Sequence, residues 1–294
     1  MGKDQAIAHT VGITGATGAV GGRVAARLAR RGVRQRLIVR DLNRAPELAS
    51  ASAAMAAYED PAAFRRAVRG TDTLLLVSAI EAADRIDQHI SAVDAAVAAG
   101  VSRIVYLSFL SAAPAATFTF ARDHFYTEAH IRSTGVEHTF LRPSLYLDLL
   151  PDWADEHGVI RGPAGQGRIA WVSRDDVADA AVAVLLGQQE HDGRTYDLTG
   201  PEAVSLGETV ERLSTLTGKV VRYVPETWDE ALESRRPSGA PEWAVEGWAS
   251  SYAAIAAGEM DVVSPAVPDL TGHPAQTIEG YLRKHPSALS RINP

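Results

Sequence analysis

Through the first half of the chain, short unbroken apolar runs alternate with stretches whose apolar residues recur every three or four positions. The apolar runs fall at 8–14, 36–40, 53–57, 72–77, 103–107 and 138–142, and the helical periods at 20–31, 61–68, 84–99 and 120–133. Pro61 suits the first turn of its helix, and Gly100 and Gly135 suit helix ends. Strands without polar alternation belong in a parallel sheet covered on both faces. The pattern therefore predicts an α/β fold, a doubly wound parallel sheet. After Pro143 the pattern changes. Residues 151–167 are rich in Gly, Pro and Trp and read as a loop region with a short helix. A strand is expected at 168–172, and Ser173, Asp175 and Asp176 open a helix over 177–186. A strand at 195–198 could return to the main sheet, and helices follow at 208–217, 228–233, 242–257 and 276–284. The expected division is a nucleotide-binding domain over 1–147, joined again by 168–200. A smaller, mostly helical C-terminal substrate lobe takes 148–167 and 201–294.

The first strand and first helix are joined by Thr14-Gly-Ala-Thr-Gly-Ala-Val-Gly21. Glycines in this setting let the backbone turn sharply and approach a diphosphate without Cβ atoms in the way. The helix start beyond them offers N–H groups and the positive end of its dipole. The string predicts dinucleotide binding, with Thr14, Gly15, Ala16, Thr17, Gly18, Ala19 and Val20 lining the phosphates. At the end of the second strand, an acid would take ribose hydroxyls, whereas an arginine accommodates a 2′-phosphate. Arg40 stands there, followed by Asn43 and Arg44, and the guanidinium fork suits phosphate. Asp41 lies past the strand end, as a turn-starting residue. The cofactor expected is NADP(H) in preference to NAD(H).

Composition narrows the classes. The chain has 294 residues, 46% of them hydrophobic, enough for a substantial core. The net charge is −7 with no basic block, which argues against nucleic acid. There is no cysteine, so disulfides, thiolate metal sites and cysteine nucleophiles are excluded. With no apolar leader and no run long enough to span a bilayer, a cytoplasmic protein without membrane contact is expected. Lysine occurs only as Lys3, Lys219 and Lys284, so the chemistry must be explained largely without it.

The glycine string, with Val39-Arg-Asp41, resembles the NmrA-like group of atypical short-chain dehydrogenase/reductases. Asp123-His-Phe-Tyr-Thr-Glu128, Ser133-Thr-Gly135 and Thr139-Phe-Leu-Arg-Pro-Ser-Leu-Tyr146 are similar to segments of type 2 NAD(P)H:quinone oxidoreductases and triphenylmethane reductases. So are 162–170, 173–178 and 193–199. The likeness covers nearly the whole chain and is weakest after Trp228. It implies a Rossmann domain, an NADPH preference and a small C-terminal substrate lobe. It also implies that Arg40 meets the 2′-phosphate, that Ser78 and Ser108 line the cofactor trough, and that Pro143 and Ser144 lie near the nicotinamide. Two departures stand out. Ala57 replaces an aspartate common at the adenine edge, and Pro143-Ser144 replaces a more usual Asn-Gly.

Ordinary short-chain reductases use Tyr-x-x-x-Lys as proton donor. Here Tyr126-Thr-Glu-Ala-His130 lacks the lysine. His124 falls where relatives outside this branch carry the helix lysine that contacts the cofactor, and Glu128, four residues on, could orient its ring. The catalytic candidates are therefore His124 and Tyr126, with water as a third proton source. No second His or Cys cluster completes a metal site with His124, and Gly-x-Ser-x-Gly is absent. Phe109, Tyr146, Trp153 and Trp171 are candidates for a flat apolar substrate pocket, with Phe109 also touching the cofactor. Hydride transfer to a quinone, a dye or an activated enone needs no strong general acid. The expected function is thus an NADPH-dependent reductase of a planar electrophilic small molecule, as monomer or homodimer. Two other readings are an NADP(H)-sensing regulator without turnover and a biosynthetic tailoring reductase or isomerase.

Overall fold

The computed structural model describes residues 9–287. Eleven strands and eleven α-helices are found among them, alternating closely only in the first half. The first half runs β1 (Thr10–Thr14), α1 (Ala19–Arg30), β2 (Arg34–Val39), β3 (Ala51–Met55), α2 (Pro61–Ala67), β4 (Thr73–Val77), α3 (Arg85–Ala98), β5 (Arg103–Leu107), α4 (Thr119–Ser133) and β6 (Glu137–Pro143). The second half runs α5 (Leu150–Trp153), β7 (Val159–Gly162), β8 (Arg168–Ile169), α6 (Arg174–Gly187), β9 (Thr195–Leu198), β10 (Val204–Ser205), α7 (Leu206–Thr217), β11 (Arg222–Pro225), α8 (Trp228–Arg235), α9 (Glu242–Ala256), α10 (Ala266–Thr271) and α11 (Ile278–Lys284).

Seven strands form one sheet in the order β3-β2-β1-β4-β5-β6-β9. Every pairing from β3 through β6 is parallel, as the apolar runs require. The order reverses beside β1, which places the carboxyl ends of β1 and β4 at the switch point of a doubly wound sheet. Strand β9 returns beside β6, as the sequence pattern indicates. The expected start of the first strand at residue 8 lies outside the described residues. The third strand begins two residues earlier than its sequence suggests, at Ala51 rather than residue 53. Three strands escape the sequence pattern altogether: the two-residue β10, and β7 and β11, which pair in parallel from Val159↔Arg222 to Gly162↔Pro225. The strand expected over 168–172 is only β8, antiparallel to β10, with Tyr146↔Val172 as an isolated bridge.

The chain divides into two compact units. The first runs up to Ser108 and adds Tyr126–Leu141 and Ala178–Tyr196; the second is Phe109–Phe125, Arg142–Val177 and the residues from Asp197 on. One core of the first unit lies under α2 and α3, with Phe64, Leu74, Ile104, Tyr106 and Phe140 at its centre. Between β2 and β3 no α-helix forms. The 42–50 segment instead borders a cavity of about 630 Å³ lined by Leu37, Leu42, Asn43, Pro46, Leu48 and Ala51. The core of the second unit gathers Trp171, Leu213, Tyr252, Ile255 and Tyr281. Among the described residues, no helix is long and apolar enough to cross a membrane.

Candidate active site

In the first unit the glycine turn follows β1. Gly15 has φ +62°, a conformation that side chains with a Cβ rarely adopt. Its carbonyl accepts the Gly18 N–H at 2.8 Å, which closes the turn. Gly18 then caps α1 with no side-chain hydrogen bond, and no acid stands in the first helical turn. Thr17, Gly18 and Ala19 are exposed, whereas Ala16 and Val20 are buried. A helix start with exposed residues, free of side-chain caps and acidic groups, fits an anionic diphosphate.

The strand ends beside this turn are laced together. A Cβ on Gly15 would meet Val77 at 3.2 Å, so β1 and β4 touch there. Thr14 Oγ1 donates to Leu75 O at 3.2 Å and accepts the Val77 N–H at 2.8 Å. The Tyr58 hydroxyl lies 2.6 Å from Thr14 Oγ1 and 2.5 Å from Val77 O. Burial pushes the Tyr58 phenol above its usual range, so it remains a protonated donor. Tyr58 carries no motif and its role was not evident from sequence. Arg40, Asp41, Asn43 and Arg44 are all exposed just beyond β2. Asp41 Oδ1 accepts the Asn43 N–H at 2.9 Å, an Asx turn, as its position past the strand end suggests. Asn43 also lines the cavity at the sheet edge.

Ser78 is half-buried and Ser108 is buried at 3% exposure. The Ser108 hydroxyl donates to Glu128 Oε1 at 2.6 Å, and Arg132 donates to Glu128 Oε2 at 3.2 Å. Glu128 is fully buried, so these bonds hold a carboxylate that burial alone would penalise. Sequence reasoning noted that Glu128 could orient the His124 ring and did not foresee Ser108 as a partner. Tyr126 is 46% exposed.

The second unit holds the aromatic candidates. His124 is buried and stacks on half-buried Phe109, centroids 6.0 Å apart at 29°. From Phe109 a row of rings continues to Phe118 at 5.0 Å, Phe120 at 5.5 Å from Phe118, and Trp243 at 6.0 Å from Phe120. Gly247 on α9 makes the row possible, because a Cβ there would lie 2.1 Å from Phe120 Cζ. The loop that carries Phe109 is anchored by Glu259, whose carbonyl accepts the Ser111 hydroxyl at 2.7 Å and whose carboxylate accepts the Thr117 N–H at 2.8 Å. Leu110 N–H donates to Pro143 O at 2.9 Å. Ser144 beside it is fully buried, and its Oγ has no hydrogen-bond partner among the described residues. A buried hydroxyl of this kind fits a polar cofactor group. Tyr146 lies under the Arg174 guanidinium, 4.8 Å from ring centroid to Cζ. Trp153 packs on Trp171 and Tyr252 at 5.1 and 4.6 Å. Trp171 is only 2% exposed, and its indole N–H donates to Thr209 Oγ1 at 3.3 Å, the arrangement of a core side chain.

A family model described as NAD(P)H-binding matches residues 15–187. The chain is 34% identical over 287 residues to a (4-alkanoyl-5-oxo-2,5-dihydrofuran-3-yl)methyl phosphate reductase of Streptomyces griseus, covering 95% of this chain and 98% of the relative. It is 33% identical over 275 residues to quinone oxidoreductase 2 of Escherichia coli, covering 91% and 96%. The crystal structure of that quinone oxidoreductase with NADPH superimposes with a TM-score of 0.85 over 93% of this chain and 99% of the other, at 31% identity. The triphenylmethane reductase of Citrobacter sp., complexed with NADP(H), gives a TM-score of 0.81 at 30% identity, over 93% and 99%.

Proposed function

The chain belongs to the NAD(P)H-binding family and is an NAD(P)H-dependent oxidoreductase, and on that premise we propose that it uses NADPH to reduce a planar, electrophilic small molecule directly. The observation that carries the acceptor class is half-buried Phe109, stacked on His124 and backed by the buried rings of Phe118 and Phe120. Flat apolar rings bind flat conjugated acceptors by stacking and exclude water from them. The names of the relatives agree in kind, since a quinone, a triphenylmethane dye and an alkanoyl-substituted dihydrofuranone are all conjugated.

Bound NADPH would supply the hydride, which is the difficult part of the chemistry. Thr14 through Val20 would hold its diphosphate at the start of α1, with Gly15 and Gly18 allowing close approach. Arg40 would take the 2′-phosphate with Asn43 beside it, and Ser78, Ser108, Phe109 and Pro143 would line the remainder of the cofactor. Phe109, Tyr146 and Trp153 would face the acceptor. The orphan Ser144 hydroxyl supports the same assignment. His124 would hold the proton that the reduced acceptor takes up, with Tyr126, the more exposed group, as the second source. An acceptor whose charge is delocalised over a conjugated system needs little help from an acid, which suits a site without a Tyr-Lys pair.

Two measurements test this reading. NADPH deuterated at the nicotinamide C4 is expected to be oxidised by at least one member of a panel of quinones, cationic dyes and activated enones. Where the acceptor is reduced at carbon, deuterium should appear there. Silence across the panel rules the reading out. The cofactor preference is tested separately. Arg40→Ser is expected to lower the ratio of kcat/KM for NADPH over NADH by about 10- to 100-fold, the worth of a charge-assisted bond to phosphate. An unchanged ratio removes Arg40 from the 2′-phosphate.

A further inference from the structure

His89 is fully buried in α3, and no catalytic reading uses it. Its ring is bonded at both nitrogens. Nε2 lies 2.8 Å from the Ala79 backbone nitrogen, and Nδ1 lies 2.9 Å from Thr127 Oγ1 on α4. An amide N–H can only donate, so Nε2 is the bare nitrogen and Nδ1 carries the proton. That fixes the ring as one neutral tautomer, and burial, with Arg85 nearby, lowers its pKa to about 3. The carbonyl of Ala79 is held too, by Arg85 Nε at 3.0 Å. Both polar groups of this one residue are therefore gripped by α3.

The position of Ala79 gives the grip its meaning. It follows Ser78 in the segment leaving β4, and Val77 is the residue against which Gly15 packs. Tyr58 and Thr14 fasten the same strand end. The Tyr58 and Tyr106 rings meet the His89 ring edge-on at 6.1 and 5.8 Å, so the imidazole has little room to turn. Beyond the bonds from His89 and Arg85, the segment leads directly into exposed Ile80 and Glu81.

We propose that His89 is a positioning residue for the dinucleotide, its ring fixing the Ala79 peptide so that the segment after β4 is set for the cofactor before binding. This rests on the reading that NADPH lies on the glycine turn. Rigidity established before binding lowers the entropy lost on binding, so the contribution should appear in cofactor affinity rather than in the chemical step.

The test compares His89→Leu with His89→Gln. Leucine fills space but leaves the Ala79 N–H without an acceptor. Glutamine can accept from Ala79 through Oε1 and donate to Thr127 through Nε2. Dissociation constants for NADPH are measured by titration, with KM, kcat and thermal unfolding alongside. His89→Leu is expected to raise the Kd and KM for NADPH by about 10-fold, with kcat within about threefold, and His89→Gln to recover most of the loss. Should His89→Leu fail to fold, Thr127→Val decides: it keeps the ring and removes the nearer Nδ1 partner, leaving only the Tyr106 hydroxyl at 3.5 Å, and the expected result is a raised Kd with kcat unmoved. Nitrogen-15 NMR of the imidazole near neutral pH should show protonated Nδ1 and bare Nε2. A folded leucine variant with native affinity, a glutamine variant no better than leucine, or the opposite tautomer overturns the proposal. If the native chain itself does not bind NADPH, the functional reading fails; if it binds and the variants bind equally, only the role of His89 fails.

Discussion

Gly21→Ala is expected to abolish useful NADPH binding, raising the Kd by about 100-fold or more, and to cost about 1–3 kcal/mol of stability. The substitution looks mild, since alanine is favoured over glycine inside a helix by about 1 kcal/mol. Gly21 lies in the first turns of α1, however, and faces the end of β1. A Cβ there would come within 2.3 Å of Gly15 O, 2.6 Å of Gly15 C and 2.8 Å of Thr14 O. All three are backbone atoms, so no side chain can swing aside. The start of α1 must move away from the strand that positions it. Displacing helix N–H groups from a diphosphate by about 1 Å forfeits most of their value. Gly22→Ala is the matched control, because its Cβ would meet Ala16 O at 3.0 Å and the Ala16 carbonyl carbon no closer than 3.9 Å. Titration with NADPH and thermal unfolding of both variants check the result. Native affinity in Gly21→Ala would show that the turn tolerates a wider helix–strand gap than the backbone geometry allows.

The second large effect is on stability alone. Arg103→Met is expected to destabilise the fold by about 3–5 kcal/mol while leaving the KM for NADPH within about twofold. Arg103 stands at the amino end of β5 with its side chain 6% exposed. Its Nε lies 2.6 Å from Asp192 Oδ1, one terminal nitrogen donates to Thr139 Oγ1 at 2.9 Å and the other to Val184 O at 3.3 Å. Thr139 in turn donates to His191 O at 2.7 Å. One guanidinium thus ties β5 and β6 to the 184–192 segment. Burial pulls the arginine below its usual range and Asp192 acts in the opposite direction. Removing the cation leaves Asp192, with its side chain 21% exposed, without its counter-charge, and Thr139 Oγ1 and Val184 O without their donor. Urea unfolding measures the loss. Removing both charges, in Arg103→Met with Asp192→Leu, should restore part of it, because the uncompensated charge is the costly element. A single variant losing less than about 1 kcal/mol would contradict this account. The cofactor should not sense the change, since the glycine turn lies at the carboxyl ends of the strands.

The parts of the fold that periodicity reveals are those buried on both faces. Strands β4 and β5 are unbroken apolar runs, and their sequence boundaries agree with the structure to within one residue. Strand β3 reads Ala-Ser-Ala-Ala-Met at the sheet edge, with Ser52, Ala53 and Met55 exposed. Small neutral residues on a half-open edge give neither alternation nor an apolar run, so its register was displaced by two residues. Strands β7 and β11 went unseen because each is four residues long and contains or borders Gly or Pro. Each is also a strand only through a partner some 60 residues away, as in Val159↔Arg222. The glycine turn was legible because backbone conformation demands a residue type. The partnerships around it were not. His89 meets Ala79 and Thr127, 10 and 38 residues distant, and Ser108 meets Glu128 across 20. The one sequence signal was a histidine on the apolar stripe of α3, spaced with Ala92, Val93 and Ala96. A stripe shows that such a histidine is buried, and says nothing of its partner.

The interleaving of the two units governs how the chain can be made. Neither unit is a continuous stretch, and the polypeptide passes between them at 108, 125, 141, 177 and 196. On the ribosome, β1 through β6 emerge well before β9 can take its place beside β6. Until then the growing sheet has an unpaired strand at β6, and the second unit still lacks everything from Asp197 on. An unpaired edge is the kind of surface that recruits other chains. Co-translational folding of this enzyme is therefore closed by a late segment, and a nascent chain arrested near residue 180 should require chaperone protection that the released full-length chain does not.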